Sequence, residues 1–295
     1  MSFADRLIDA VRRKSTPLCV GLDPFAEKIP GLFGDARTDC VAIARFGEAI
    51  IELAQQHAGV LKPQLGLFEP YGAEGVRVAH ELVQAARAAG MVTILDAKRG
   101  DIGTTAEGYA RATLGPMPGF DADCVTVNPY MGLDTIEPFL SAAEQSAKGV
   151  AVLVRTSNPG AGDVQDLDTG GAPVWRRVAA MIAPQAQRLR GACGWSGLMA
   201  VAGATVPEQA RALRQHLPQA LFLVPGYGAQ GASARDAVAG FVTTATGLEG
   251  GVVNSSRAVL YPAAAQDAKT MTAWRDAVTD AMRSAAAELR AACAL

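Results

Sequence analysis

The sequence is short of the residues on which metal, redox and membrane chemistry usually rest. Its five cysteines (Cys19, Cys40, Cys124, Cys193 and Cys293) are odd in number and widely spaced, with no C-x-x-C pair, so they read as reduced, mostly buried thiols. The three histidines, His57, His80 and His216, all fall in helical patterns, and there is no H-E-x-x-H. None is placed as a general base. No stretch approaches the roughly 18 uncharged apolar residues that would span a bilayer. A secretory signal is missing too, because the first 17 residues carry Asp5, Asp9, Arg12 and Arg13 where an apolar run would be needed. Balanced charge, 27 basic against 29 acidic residues, leaves no global field to draw in nucleic acid or an anionic membrane. The expectation is a cytoplasmic protein that binds neither and meets any charged ligand with a local arrangement.

What is present is apolar and periodic. With 295 residues, 49% of them hydrophobic, the chain is neither disordered nor a small stapled scaffold. Short runs rich in Val, Ile and Leu predict strands at 18–23, 59–68, 91–98, 124–129, 149–156, 197–203, 221–226 and 251–256, each followed by an Ala-rich helical stretch. Runs that are apolar on both faces suit a parallel sheet covered by helices. Eight such units favour an α/β fold closed as a (β/α)8 TIM barrel, although an open doubly wound sheet carries the same local pattern. The simplest organisation is one domain over 1–295. The polar, Gly-rich and Asp-rich stretch 158–173 is an irregular loop, at that length a functional one.

Chemistry in such barrels sits at the C-terminal ends of the strands, which narrows the search to eight short segments. There the chain places Asp23, Lys62, the cluster Asp96, Lys98 and Asp101, then Asn128, Thr156 and Ser157, the loop 225–231 and the segment 254–257. Residues two apart on a strand share a face, so Asp96 and Lys98 project together, with Asp101 in the turn that follows. A lone D-x-K is equally a structural ion pair closing a strand end. Lys62 tips the reading, since it ends the neighbouring strand, about 4.8 Å away. Two lysines and two aspartates then share one small volume. A lysine flanked by carboxylates stays cationic, which suits a proton donor rather than a Schiff base.

The loop Gly226-Tyr227-Gly228-Ala229-Gln230-Gly231 matches the dinucleotide pattern G-x-G-x-x-G, but that fingerprint belongs after the first strand of an open sheet. After a seventh barrel strand, its glycines suit backbone approach to a phosphate, with Arg257 as bidentate partner and Gln230 as a neutral donor. By themselves these two are a surface arginine and a loop glutamine. Asp23 is either a ligand or the end of a strand, and Ser157 either a ligand or part of a turn before Pro159. Asp96 and Asp101 would hold Mg²⁺ only with a further acid. Lys62 stands where that acid would be needed, so no metal or cofactor is expected.

The segments GLDP (21–24), LK (61–62), DAKRGD (96–101) with Thr105, the PG-x-G loop and the closing SR (256–257) together resemble the orotidine 5′-phosphate decarboxylase family. NSSRAVLYP and the chain length are similar to its longer, bacterial-type subgroup. The resemblance runs from about 18 to about 260. It implies decarboxylation of orotidine 5′-phosphate to UMP in pyrimidine biosynthesis, without cofactor, with Lys62, Asp96, Lys98 and Asp101 as the charged catalytic network. It further implies Asp23 on the ribose, Ser157 on the pyrimidine edge and Gln230 with Arg257 on the phosphate. Asp101 and Thr105 would reach into the neighbouring subunit of a homodimer. The 158–173 stretch has no counterpart in shorter members, and Gln230 lies in a differently built loop. The rival within the superfamily is a Mg²⁺-dependent sugar-phosphate decarboxylase or aldolase, which also carries D-x-K-x-x-D but has an acid at the place of Lys62. An idle nucleotide-binding barrel would leave the charged network unexplained.

Overall fold

Each of the eight apolar runs contains a strand, and pairing between neighbours closes them into a parallel barrel in the cyclic order β1-β8-β7-β6-β5-β4-β3-β2. The strands are β1 (Leu18–Leu22), β2 (Val60–Pro63), β3 (Val92–Arg99), β4 (Cys124–Val127), β5 (Gly149–Arg155), β6 (Ser196–Ala202), β7 (Ala220–Val224) and β8 (Gly251–Ser255). This architecture is seen in a computed structural model that describes residues 1–228 and 230–294. Every residue of β1, β4, β6 and β7 is buried, as a sheet covered on both faces requires. Closure excludes the open-sheet alternative. The intervening helices include α1 (Phe3–Lys14), α2 (Cys40–His57), α3 (Gly72–Ala88), α4 (Gly103–Leu114), α5 (Leu133–Ser146), the single turn α6 (Gly162–Gln165), α7 (Val174–Ile182) and α8 (Pro207–His216).

The first helix decides which end of the barrel is free to work. Ser2 caps it in a reciprocal capping box with Asp5, and the box fixes its start. The stripe Phe3, Ala4, Leu7 and Ile8 then packs under the strands against Cys19, Val60, Ile94 and Met199. Burying Phe3 and Leu7 contributes about 2 kcal/mol each. This plug seals the N-terminal end, and the C-terminal end stays open. The C-terminal helix, Met271–Cys293, packs on the same barrel: Trp274 is fully buried, with its ring centroid 4.7 Å from that of Phe33.

Two elements differ from the sequence expectation. The run 59–68 yields only a four-residue strand, because Pro63 has no N–H to extend the ladder and the chain turns through short 3-10 helices at Leu65–Leu67 and Glu69–Tyr71. Between β7 and β8 lies an unanticipated antiparallel hairpin, Val242–Thr244 with Gly247–Glu249, tied down by Arg12 and Trp195 through Glu249. In the stretch 158–173, α6 and a 3-10 turn at Pro159–Ala161 interrupt an otherwise irregular path. All five cysteines are free thiols, with Cys19, Cys40 and Cys124 buried. Burial pushes Cys19 up to about 12, so it stays protonated. Among the described residues no helix is long and apolar enough to cross a membrane.

Candidate active site

A cavity of about 420 Å³ opens at the C-terminal end of the barrel, and Lys62, Asp96 and Lys98 all line it. Lys62, next to last in β2, donates from Nζ to Asp96 Oδ2 at 2.7 Å, and Lys98 Nζ donates to Asp96 Oδ1 at 2.6 Å. The remaining acceptor capacity of the carboxylate is taken by Gln64 Nε2 on Oδ2 and Thr126 Oγ1 on Oδ1, each at 2.9 Å. Burial alone would push Asp96 up. The two ammoniums outweigh it and hold the carboxyl below the usual carboxylate range. Burial likewise works against the Lys62 cation, but Asp96 and Asp23 hold it above the usual lysine range. Two ammoniums against one carboxylate leave the cluster net positive. The Lys98 side chain is 46% exposed where that of Asp96 is 9% exposed, so Lys98 presents its charge to an incoming ligand.

The strand geometry behind this cluster is less regular than simple alternation. Leu95 pairs with Val125 and Arg99 with Val127, so Asp96, Ala97 and Lys98 stand opposite the single residue Thr126. Within this bulge Lys98 has φ +47°, in the left-handed region that costs a non-glycine residue about 1–2 kcal/mol. Asp96 and Lys98 do both reach the cavity, but a bulge aims them.

Of the other expected residues, Asp23, Ser157, Gln230 and Arg257 also line the cavity. Asp23 follows β1, and its Oδ1 is buried without a hydrogen-bond partner among the described residues. Its backbone is pinned by Tyr261, whose hydroxyl donates to Asp23 O at 2.8 Å. Arg257 begins a short helix after β8 and is exposed at the rim, with no carboxylate partner among the described residues. Ser157 and Gln230 meet at Gly226, where an added Cβ would lie 3.1 Å from Gln230 Oε1 and 3.2 Å from Ser157 Cβ. Gly226 also has φ +102°, so the backbone favours glycine there, and a side chain would crowd both neighbours. Ala229 of the same loop lies outside the described residues. The G-x-G-x-x-G stretch thus follows β7 and precedes only a four-residue helix, Ala234–Ala237.

Asp101 and Thr105 are not brought to the cavity within one chain. Asp101 is half-buried in the turn after β3, its Oδ1 accepting from Ile102 N at 2.8 Å, and Thr105 is exposed on the first turn of α4. Within a single chain the charged group therefore has three members, because Asp101 lies beyond the end of β3 at Arg99 and does not line the cavity. The three histidines stay in helices and off the cavity.

Sequence reasoning missed Gln64 and Thr126, which also line the cavity, as does Asn254 of the expected segment 254–257. A threonine inside the apolar run Cys124-Val125-Thr126-Val127 and a glutamine two positions after Lys62 were the available signals. The loop after β5 was placed but not explained. Arg155, 8% exposed, donates to Gln209, Gln165 and Asp166, while Gln165 bonds both the N–H and the hydroxyl of Thr156. Segment 159–166 is thereby strapped to the strand end that carries Thr156, Ser157 and Asn158 into the cavity.

The chain matches the profile of the Orotidine 5′-phosphate decarboxylase / HUMPS family over residues 16–271. It is 38% identical over 292 residues to orotidine 5′-phosphate decarboxylase of Rhodopirellula baltica, covering 94% of this chain and 95% of that one. It is 40% identical over 274 residues to the enzyme of the same name from Ralstonia nicotianae, covering 90% and 92%. Among solved structures, the OMP decarboxylase of Leishmania donovani superposes with a TM-score of 0.79 at 31% identity, covering 99% of each chain.

Proposed function

The chain belongs to the Orotidine 5′-phosphate decarboxylase / HUMPS family and is an enzyme of the lyase class, and from that premise we propose that it converts orotidine 5′-phosphate to UMP and CO₂ in the cytoplasm, as a step of pyrimidine biosynthesis. The observation that carries this reading is the Lys62–Asp96–Lys98 cluster at the mouth of the barrel, in which a buried ion pair holds an exposed ammonium.

Cleavage of the bond between C6 and the carboxylate leaves the electron pair on C6, with no adjacent carbonyl to take it up. Fixed charge must stabilise it. The Lys98 ammonium lies at the cavity, held by Asp96, and delivers its proton to C6 as CO₂ departs. Solvent then reprotonates the amine. The Asp96 carboxylate repels the substrate carboxylate in the ground state, and Lys62 keeps Asp96 ionised. Asp23 takes a ribose hydroxyl, Ser157 the pyrimidine edge, and Gln230 with Arg257 the phosphate. These remote contacts supply binding energy that fixes the base against the cluster.

The active form in this reading is a homodimer in which Asp101 and Thr105 enter the partner's site. Supporting it, Ile102, Tyr130 and Met131, in the segments that follow β3 and β4, carry exposed apolar side chains, and Met131 Cε lies close to Gly100, next to Asp101. No metal takes part, because the four donors on Asp96 leave its oxygens no room for a cation. The test is the loss of orotidine 5′-phosphate absorbance with purified protein after exhaustive chelation. Turnover undiminished by EDTA is expected. No turnover, or turnover only on adding Mg²⁺ with a sugar phosphate as substrate, would favour the metal-dependent branch.

A further inference from the structure

We propose that Thr126 is a positioning residue for Lys98, holding it in the left-handed conformation that aims its ammonium into the cavity. The inference rests on the reading of Lys98 as proton donor and adds to it the device that places the donor.

Thr126 is 1% exposed, and its neighbours on β4, Val125 and Val127, are apolar. Valine has the same branched shape, so packing gives no reason for a hydroxyl at this position. The hydroxyl makes two hydrogen bonds, both to the bulge. Its oxygen accepts from Lys98 N at 2.9 Å, and its single proton goes to Asp96 Oδ1, also at 2.9 Å. In an unbroken parallel ladder the Lys98 N–H would bond a backbone carbonyl of β4. Here the register shift removes that partner and the threonine side chain replaces it.

The consequence is a closed ring of contacts. Thr126 fixes the Lys98 backbone, the Lys98 Nζ bonds Asp96 Oδ1 at 2.6 Å, and that same oxygen bonds Thr126. Backbone and ammonium of one residue are thus referred to one point on β4. Without the hydroxyl, the N–H of Lys98 has no partner and its φ of +47° loses its restraint. The backbone then relaxes toward the extended region, which turns the side chain from the cavity. Binding of the nucleotide through Asp23 and Arg257 does not pass through this ring.

The test compares Thr126→Val with Thr126→Ser, reading kcat and KM for orotidine 5′-phosphate beside thermal unfolding. Thr126→Val is expected to lower kcat by about tenfold to a hundredfold with KM within about threefold, and Thr126→Ser to restore kcat to within about threefold of wild type. A valine variant with wild-type kcat per folded molecule, whatever its stability, overturns the proposal. So does a serine variant as slow as the valine one. Should the valine chain not fold, Thr126→Cys, of similar size but a weak donor and acceptor, is read by the same criteria. A wild-type protein without turnover would instead sink the proposed reaction, which separates the two failures.

Discussion

Lys62 and Asp96 form an ion pair between adjacent strands at the mouth of the barrel, Nζ to Oδ2 2.7 Å, with only 4% and 7% of the two residues exposed. Taking both charges out of water is costly, and removing one partner of such a pair typically destabilises by about 3–5 kcal/mol. A site that merely bound a nucleotide would gain nothing from that arrangement. It becomes intelligible where a fixed carboxylate must remain ionised beside a second ammonium.

The pair sets a stability profile. Asp96 is held below the usual carboxylate range, so its contribution is present above that range and is lost only as pH falls beneath it. Lys62 is held above the usual lysine range, so its contribution is full below that range and is lost only as pH rises beyond it. Lys62→Met should therefore lower the unfolding free energy by about 3 kcal/mol, uniformly between about pH 5 and 9, with the difference shrinking in stronger acid. Urea unfolding of both chains across that range checks this. A difference that varies between pH 5 and 9 would contradict the assigned charge states.

The outward placement of Asp101 makes the dimer testable by mixing. Lys98→Ala and Asp101→Ala chains are each expected to be nearly inactive alone. Reassorted in equal amounts, half the dimers are hybrids with one whole site, so about a quarter of wild-type activity should return. If Asp101 served its own chain's site, the mixture would stay inactive.

Arg155 strengthens the strap that holds the Thr156–Ser157–Asn158 strip. Arg155→Met removes its bonds to Gln165, Asp166 and Gln209 and should raise KM by about tenfold while kcat changes far less. Limited proteolysis should cut faster within 159–173. Unaltered KM together with unaltered cleavage would show that the loop holds its place without the strap.

Much of this site was legible in the sequence, because strand ends can be located from apolar runs and the barrel rule assigns chemistry to them. Lys62, Asp96 and Lys98 were found that way, as were Asp23 and Arg257. Thr126 and Gln64 were not. Their importance arises from a register shift between β3 and β4 and from the early end of β2 at Pro63, and neither leaves a periodic trace. The hairpin 242–249 was missed because its strands are three residues each, too short for alternation to register. The single-chain position of Asp101 left no such trace either, because it lies beyond the end of β3 at Arg99, where alternation no longer assigns a face.

The account stands most directly on the Lys98 ammonium as the proton source. The deciding measurement is turnover of orotidine 5′-phosphate by Lys98→Ala, made beside UMP affinity and a folding check on the same sample. Turnover is predicted to fall below detection with the fold and UMP binding largely kept. Activity within tenfold of wild type would contradict the assignment of Lys98 as the acid.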